Sequence, residues 1–357
     1  MPKLTQMKLL KAIGCVAVLA AASCMALAAE DRIDIVNVED IAVLDGARWA
    51  IASSMSGGVQ AAGALYAIDT GSQRVQQLYP LASQPGTSEM AQCAAPVTAA
   101  AFAPHGIALH TDASGAQRLY AVNHGDRESL EVFSVTGNLA QNNAPQLRWV
   151  GCIPLPKGAF GNSVAIAADG TLYLTNMGQP LDGSAAISPM GGEVIAWTAE
   201  SGWRSLPGSA IAAPNGLLVS ADGRELFVAS WSQGELVKLT REGESVQRQV
   251  MKLSFLPDNL RWGRTGTVLA AGHRTTTAAV TECFLTEGRC AKVIASAIAE
   301  IDPQSLAVRC VRGVDQSMAT VAVNVGAELW IGTARGENIL RLPADALEPM
   351  HCDKSLQ

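Results

Sequence analysis

The amino-acid sequence predicts an all-β protein folded as a six-bladed β-propeller, with a central metal site and an N-terminal strand that closes the ring of blades. Two observations predict this fold. The chain of 357 residues has 33 Gly, 16 Pro and only 16% charged residues, a balance that favours many short strands joined by turns. It also contains six copies of one hairpin-like phrase, spaced as propeller blades are.

Each copy of the phrase has a polar or turn residue, an apolar run, a turn such as Asp-Gly, and a second apolar run. Two short apolar runs on either side of a turn predict a β-hairpin. The copies begin at positions 39, 105, 162, 215, 258 and 318, which lie 43 to 66 residues apart. A four-stranded blade with variable loops has this length, and further strands are predicted over 129–135 and 192–199.

The two ends of the chain predict how the ring closes. The sixth copy ends near Leu342 with little chain beyond it, whereas the segment 32–36 before the first copy resembles a strand. An unpaired end strand would expose backbone groups, so we expect the N-terminal strand to complete the last blade. No linker or charge block divides residues 29–357, which predicts a single domain.

Residues 1–28 predict a secretory signal peptide. Three lysines precede an apolar stretch over 12–28, which ends in the small-residue pattern Ala-Leu-Ala. The predicted location is therefore secreted or periplasmic, with lipoprotein anchoring through Cys24 as a minor alternative. The apolar stretch is at the lower edge of membrane-spanning length, and no stable membrane span is expected.

Six of the 8 cysteines follow the predicted signal peptide, and none forms a Cys-x-x-Cys pair. An even number of cysteines in an exported chain favours disulfides over a zinc site. We expect the pairs Cys283–Cys290, Cys93–Cys152 and Cys310–Cys352. Only the first of these pairs follows from proximity in the sequence.

Charge and motifs exclude several functions. The formal net charge is -6 and no Lys/Arg cluster is present, which argues against a nucleic-acid partner and leaves small molecules as ligands. The chain has no P-loop, no His-Glu-x-x-His motif and no Gly-x-Ser-x-Gly nucleophile elbow. Nothing in the sequence indicates an oligomeric state.

The starts of the repeats predict a cation site. In a propeller the innermost strands line one central channel, so residues just before these strands converge. Five oxygen-bearing side chains stand at these positions: Glu39, Asn162, Asn215, Asp258 and Asn259. Carboxylate and amide oxygens suit Ca²⁺, and the two carboxylates would balance its charge. The alternative is that these residues only form turns.

Three of the 5 histidines are predicted at inner-strand positions of the second and fifth blades, namely His105, His124 and His273. A pair of histidines can act as a general base, because one imidazole accepts a proton from water while the other orients it. The alternative for His105 and His124 is a packed, hydrogen-bonded structural pair.

Five phrases of the sequence resemble the paraoxonase/arylesterase family of calcium-dependent lactonases. The phrases are VEDIAVL at 38–44, APHGIAL at 103–109, LYAVNHGDRESLEVFSV at 119–135, PNGLLVSADG at 214–223 and PDNL at 257–260. Gluconolactonases and strictosidine-synthase-like proteins share the architecture. The resemblance implies that the catalytic calcium ligands are Glu39, Asn162, Asn215, Asp258 and Asn259, that His105 and His124 form the histidine pair, and that His273 lies in the pocket.

The resemblance also raises the possibility of a second, structural calcium. Its ligands in this family would fall on Asp40, the carbonyl of Ile107 and the position of Ser163, where this chain lacks the family's carboxylate. Another departure lies at Met177-Gly178, which replaces an acidic residue and a histidine. The pocket wall therefore differs from that of the family.

The predicted function is an exported calcium-dependent ester hydrolase, a lactonase or arylesterase acting on a small-molecule lactone or ester. The metal would bind the substrate carbonyl while a histidine-assisted water attacks. One alternative is a gluconolactonase-type enzyme that opens sugar lactones with another divalent metal. The other is a non-catalytic, ligand-binding propeller.

Overall fold

A computed structural model describes residues 31–356 of the chain, apart from 47, 56–60, 82–87, 91, 138–142, 185–187, 189, 244, 287–289 and 291. It contains six four-stranded antiparallel sheets, which confirms the predicted all-β six-bladed propeller. The predicted signal peptide and Cys24 lie outside the described residues. Among the residues described, no helix is both long and apolar enough to cross a lipid bilayer.

Each of the first five blades is a run of four consecutive strands. Blade 1 contains β2 (Val38–Val43), β3 (Trp49–Ser54), β4 (Ala64–Asp69) and β5 (Val75–Tyr79), and blade 2 contains β6 (Pro104–Thr111), β7 (Gln117–Asn123), β8 (Ser129–Thr136) and β9 (Gln146–Pro154). Blade 3 contains β10 (Gly161–Ile166), β11 (Leu172–Asn176), β12 (Glu193–Thr198) and β13 (Gly202–Ser205).

The remaining strands complete the ring. Blade 4 contains β14 (Pro214–Val219), β15 (Glu225–Ser230), β16 (Glu235–Glu242) and β17 (Ser245–Lys252). Blade 5 contains β18 (Leu256–Trp262), β19 (Val268–His273), β20 (Ser296–Ile301) and β21 (Val308–Val314), and blade 6 contains β22 (Ala319–Val325), β23 (Glu328–Thr333), β24 (Ile339–Pro343) and β1 (Asp31–Ile33). One helix, α1 (Thr277–Leu285), lies between β19 and β20, and short 3-10 helices span Trp231–Gln233, Ala344–Leu347 and Pro349–His351.

The hairpins form where turn residues separate the apolar runs. In the turn between β10 and β11, Gly170 has a φ of 83°, a left-handed conformation that residues with a Cβ rarely adopt. The preceding Asp169 accepts a hydrogen bond from the backbone N–H of Thr171 at 2.9 Å. The short polar side chain and the glycine together specify a tight turn.

The innermost strands of neighbouring blades contact one another around the ring, and β22 contacts β2. Strand β1 pairs antiparallel with β24, Asp31 lying opposite Arg341. The sixth blade therefore contains strands from both ends of the described chain, with β1 as its outermost strand and β22 as its innermost strand.

Apolar side chains pack between adjacent blades. Between blades 1 and 2 the fully buried rings of Trp49, Phe102, Phe133 and Trp149 form one cluster, in which Phe102 and Phe133 meet edge to face. Across the described blades most of the buried apolar side chains are Ala, Val, Ile and Leu, and their burial stabilises the folded chain.

All three predicted disulfides are present. The Cα atoms are 5.6 Å apart in Cys93–Cys152, 4.7 Å in Cys283–Cys290 and 5.3 Å in Cys310–Cys352. These distances lie within the usual range for a disulfide. Cys283–Cys290 anchors α1 to the loop that follows it, and Cys310–Cys352 joins β21 to the C-terminal segment.

Candidate functional site

A β-bulge occurs near the start of the innermost strand in all six blades. The pairing register with the second strand shifts between Val38 and Asp40 in β2, between Gly161 and Val164 in β10, and at the corresponding positions in the other four blades. A bulge redirects the side chains beside it. The five predicted calcium ligands and His105 lie at these bulges, inside the strands and not before them as the sequence suggested.

Close packing explains why two positions beside these residues are glycines. A Cβ on Gly106 would come within 2.4 Å of the Asn162 carbonyl oxygen, and one on Gly216 would come within 2.4 Å of the Asp258 carbonyl oxygen. Neighbouring inner strands therefore approach too closely for any larger residue. The His-Gly and Asn-Gly pairs of the sequence are explained by this close approach.

The five predicted calcium ligands come together around one end of the channel. Asn259 donates a hydrogen bond from Nδ2 to both carboxylate oxygens of Glu39, at 3.0 and 3.1 Å. Asn215 forms a side-chain hydrogen bond with Asp258. Asn162 lies one blade away from Asn215, and its Nδ2 is 3.2 Å from Nε2 of His105. All five side chains are buried.

The residues present fit a hard cation. Within the described chain, the Oδ1 atoms of Asn162, Asn215 and Asn259 are buried without a hydrogen-bond partner. Buried polar atoms are almost always paired, so three unpartnered amide oxygens in one place indicate a missing ligand. Burial, reinforced by the negative charge of Glu39, raises the pKa of Asp258 well above its ordinary value. A divalent cation would satisfy the oxygens and offset the carboxylate charge.

Among the described residues, no group of three or more His, Cys, Asp or Glu side chains could hold a metal ion. The candidate site has only two carboxylates, and its other three ligands are amides. Amide oxygens favour calcium, whereas zinc and other softer metals favour nitrogen and sulfur.

The histidine pair forms the centre of a hydrogen-bonded chain. Nε2 of His105 lies 3.0 Å from Oε1 of Glu39, and Nδ1 of His105 lies 3.1 Å from Nε2 of His124. Nδ1 of His124 lies 2.9 Å from Oε2 of Glu128. The hydrogen-bonded chain thus runs from Asn162 through the two histidines to Glu128, whose side chain is 24% exposed, and Glu39 lies within ion-pair distance of His105. Glu128 could not be identified from the sequence, because only the folded loop after β7 brings it to His124.

His124 is held as a neutral ring. It is 5% exposed and stacks on Phe160, with ring centroids 4.2 Å apart. Burial lowers the pKa of His124 below its ordinary value of 6.5, although Glu128 acts in the opposite direction. The Glu128 carboxylate can only accept a hydrogen bond, so the proton of a neutral His124 ring is on Nδ1. His105 then donates from Nδ1 to His124, and its Nε2 accepts a hydrogen bond from Nδ2 of Asn162 at 3.2 Å, beside Oε1 of Glu39 at 3.0 Å.

The predicted positions of His124 and His273 were wrong in detail. His124 follows β7 and His273 ends β19, so both belong to the second strands of their blades and not to the innermost ones. They still reach the channel because antiparallel pairing sets the end of each second strand beside the start of the innermost strand. Leu256 at the start of β18, for example, pairs with His273.

His273 presents a donor to the site. Trp231 donates a hydrogen bond from Nε1 to Nδ1 of His273 at 3.2 Å, which places the imidazole proton on Nε2. That Nε2 lies 3.5 Å from Oδ2 of Asp258, outside hydrogen-bond geometry. Burial lowers the pKa of His273 to about 4, so the ring is neutral at neutral pH.

A cavity of about 400 Å³ is lined on one side by four of the five candidate ligands and by His105 and His273. Its wall is mostly apolar and includes Met55, Phe160, Met177, Met190, Trp231, Val280, Phe284 and Ala334. Val280 and Phe284 come from α1, and Thr320 of blade 6 lies at the floor, where its hydroxyl donates to the Glu39 carbonyl at 2.8 Å. No sequence motif marks Trp231, Thr320 or the α1 residues as part of the site, so they were not predicted.

Asp40 and the carbonyl of Ile107, the predicted partners in a second metal site, do lie close together. Both are contacted by the guanidinium of Arg261, and Asp40 is fully buried. Burial raises the pKa of Asp40 to about 6, with Arg261 opposing that effect.

No protein-family model matches the chain, and no curated protein matches it by sequence. Solved structures do match it. A luciferin-regenerating enzyme superposes with a TM-score of 0.55 at 11% identity, covering 87% of this chain and 92% of that one. A structure solved as a candidate gluconolactonase gives 0.53 at 13% identity, with 88% and 92% covered.

Regucalcin, a calcium-binding protein from Agrobacterium tumefaciens strain C58, gives a TM-score of 0.52 at 12% identity, with 87% and 92% covered. This chain shares the propeller fold of these proteins. Identities this low establish the fold alone, because one fold supports many activities. The activity has to be inferred from the site.

Proposed function

We propose that this protein is an exported, calcium-dependent ester hydrolase that opens lactones. One observation carries the proposal. Three unpartnered amide oxygens and two carboxylates surround the floor of an apolar cavity, beside His105, whose Nε2 lies at that floor next to Asn162 and Glu39. A cation site and a general base at one end of a substrate-sized cavity are the two components that metal-assisted hydrolysis requires.

The cation would be held by Glu39, Asn162, Asn215, Asp258 and Asn259. When bound, Ca²⁺ supplies a Lewis acid that polarises an ester carbonyl and stabilises negative charge on its oxygen. The likeness of the fold to a candidate gluconolactonase and to a calcium-binding propeller supports both the lactone substrate and the metal.

His105 would accept the proton of the attacking water on Nε2. As it does so, its Nδ1 proton can move to Nε2 of His124, and the Nδ1 proton of His124 can move to Glu128. Glu39, 3.0 Å from Nε2, stabilises the positive charge that develops on the pair. Because Glu128 is partly exposed, the proton can leave to solvent without crossing the substrate cavity.

His273 would act as a donor and not as a base. Its Nδ1 is occupied by Trp231, so only the Nε2–H is available to substrate. A neutral donor fixed by a buried tryptophan can hydrogen-bond an ester oxygen and orient the substrate.

The cavity wall favours an apolar substrate. Its side chains are methionines, aromatic rings and small aliphatic groups, which offer few partners for the hydroxyls of a sugar. Leaving hydroxyl groups unpaired in such a wall would be costly. We therefore favour lactones with an alkyl or aryl substituent, and phenyl acetate as a model ester, over the sugar lactones of the gluconolactonase-type alternative.

Export fits the cysteine chemistry. Disulfides persist in oxidising compartments, and the described chain contains three. Together with the predicted signal peptide over 1–28, they support a secreted or periplasmic location.

The test is hydrolysis of alkyl-substituted γ- and δ-lactones, gluconolactone and phenyl acetate, each measured with Ca²⁺ and with chelator. We expect turnover of the apolar lactones in Ca²⁺, its loss in chelator and its recovery when Ca²⁺ is restored. Faster turnover of gluconolactone would favour the sugar-lactone alternative. Calcium binding without hydrolysis of any substrate would instead indicate a ligand-binding propeller.

A further inference from the structure

Asp40 lies on β2 directly after the candidate calcium ligand Glu39, but its carboxylate belongs to a different environment. It is 0% exposed and does not line the substrate cavity. Oδ1 accepts a hydrogen bond from the N–H of Ile41 at 2.8 Å, and Oδ2 accepts one from the N–H of Ile107 at 2.9 Å. A fully buried carboxylate also requires a positive partner, because its desolvation costs several kcal/mol.

That partner is the guanidinium of Arg261, on the innermost strand of blade 5. Nη2 of Arg261 contacts Oδ1 of Asp40 and lies 3.2 Å from the carbonyl oxygen of Ile107. Nε donates to the Ile41 carbonyl at 3.0 Å, and Nη1 donates to the Leu260 carbonyl at 2.8 Å. The guanidinium thus uses the carboxylate and the carbonyl that a second cation would need.

The third expected ligand is also missing. Ser163 has a hydroxyl where a second metal would require a carboxylate, and its backbone groups bond to Thr175. Asp40 would then be the single charged ligand of a divalent ion next to a fixed guanidinium. Two positive groups within contact distance in a buried site would repel strongly. The residues present therefore do not fit a second metal.

We propose that Arg261 is the resident cation of this position and replaces a second structural metal ion. Its side chain, 14% exposed, links blade 5 to β2 of blade 1 and to β6 of blade 2. A guanidinium suits this role because it is permanently charged and presents several donors in one plane. Among the described residues this leaves a single candidate divalent-cation site, the one around Asp258, and this inference is independent of whether the cavity is catalytic.

The test combines calcium stoichiometry with thermal unfolding of the full chain. Arg261→Met keeps the aliphatic stem and removes the charge, and Arg264→Met, an exposed arginine three residues further on, is the matched control. We expect the wild-type protein to bind no more than one Ca²⁺ per chain by calorimetric titration after chelator treatment. Arg261→Met should lose about 5 to 10 °C of Tm in chelator, whereas Arg264→Met should lose almost none.

Asp40→Asn in the Arg261→Met background tests the pair itself. Removing both charges leaves no uncompensated carboxylate, so the double variant should melt at a higher temperature than Arg261→Met alone. Additional calcium bound by Arg261→Met, with recovery of Tm, would identify the vacated position as cation-binding and support the proposal.

Two results would overturn the inference. One is a wild-type protein that binds two Ca²⁺ per chain and loses one of them in Asp40→Asn. The other is a double variant less stable than Arg261→Met. If the candidate site around Asp258 binds no calcium, the proposed function fails. The Tm values of Arg261→Met and of the double variant would still decide whether Arg261 replaces a second metal ion.

Discussion

His105 occupies the position where the cavity, the candidate metal site and the proton relay meet. Its Nε2 is within 3.2 Å of both Glu39 and Asn162, and its Nδ1 contacts His124. No other histidine of the described chain combines an acceptor facing the cavity with a partner that can pass on a proton. The strongest predictions about chemistry therefore concern this ring and its neighbours.

Replacing His105 by Gln should retain calcium and the fold but lower lactone turnover by about 10²-fold or more, the usual effect of losing a general base. Steady-state kinetics and calcium titration provide the measurements. His110→Gln, on the same strand β6 but outside the cavity, is the control.

If the His105 and His124 variants both hydrolyse lactones at the wild-type rate with calcium bound, the histidine pair is structural. Activation of water would then have to be assigned to Glu39 or Asp258. An intermediate loss in His124→Gln is expected, because water can partly replace an orienting partner.

Glu128 acts through His124 and is a positioning residue. Glu128→Gln keeps a hydrogen-bond acceptor but removes the charge that fixes the proton on Nδ1 of His124. We expect kcat to fall about 10-fold with KM unchanged, because the relay is used after the substrate has bound. Asp126→Asn, an exposed position in the same loop, should leave kcat unaffected. A change confined to KM would contradict the assigned role.

Burial of His124 also links stability to pH. Its pKa is lowered in the folded protein, so below about pH 6.5 the unfolded state binds more protons than the folded state. The free energy of unfolding should therefore decrease as pH falls through 6.5 and below, and His124→Gln should show a flatter dependence. Urea unfolding between pH 8 and 5 in saturating Ca²⁺ measures both slopes, with His351→Gln, an exposed position, as the control. If the free energy of unfolding of His124→Gln changed with pH as steeply as that of the wild type, the pH dependence could not be attributed to His124.

Helix α1 and its disulfide form an element that the repeat pattern does not include. The helix lies between β19 and β20, begins with Thr276 as a cap that accepts from the N–H of Ala279, and contributes Val280 and Phe284 to the cavity wall. Cys283 of the helix is bonded to Cys290. The disulfide therefore restrains the helix that forms one wall of the cavity.

The disulfides should differ in their contribution to stability. Cys93 and Cys152 are 59 residues apart and Cys283 and Cys290 are 7 apart, so the longer loop should restrict the unfolded chain more. Loop-closure entropy predicts losses of about 4 kcal/mol and about 2 kcal/mol, respectively, when each pair is replaced by alanine. Urea unfolding of the two double variants provides the measurement. The Cys283/Cys290 variant should also raise KM, because α1 borders the cavity, and equal KM values would argue against a substrate contact from α1.

The candidate cation site joins distant parts of the molecule. Its ligands come from the innermost strands of blades 1, 3, 4 and 5, at Glu39, Asn162, Asn215, Asp258 and Asn259. Bound calcium would therefore stabilise the ring as a whole and not one blade, since a ligand that binds only the folded state shifts the folding equilibrium.

Chelation should lower the Tm of the whole protein. Free Ca²⁺ at about 100 times its Kd contributes about 2.7 kcal/mol, which corresponds to a Tm decrease of several degrees when it is removed. Asp258→Ala should abolish most of the calcium-dependent shift, because it removes one of the two carboxylate charges, and Asn162→Ala should reduce it less. Differential scanning calorimetry with and without Ca²⁺ measures each shift. An unchanged Tm in chelator would contradict a tightly bound metal.

The repeats, the polar residues at their starts and the histidines could all be recognised without coordinates. Each blade repeats the same hairpin phrase, and the spacing of these phrases can be read directly from the sequence. The propeller, and the convergence of the five candidate oxygen ligands at the starts of its repeats, could therefore be predicted. Sequence proximity indicated the Cys283–Cys290 bond. The location of the signal-like segment 1–28 is likewise a property of local composition.

The folded chain was needed wherever two distant residues had to meet through loops of unpredictable course. Arg261 reaches Asp40 across 221 positions, Glu128 turns back to His124, and Trp231 fixes the tautomer of His273 across 42 positions. A repeat specifies its own hairpins but not which side chain of one blade lies beside the next blade. For that reason the sequence could indicate candidate ligands and bases. Only the packing between blades showed that the Arg261 guanidinium is the cation beside Asp40, and that His105 can pass a proton toward His124 and Glu128.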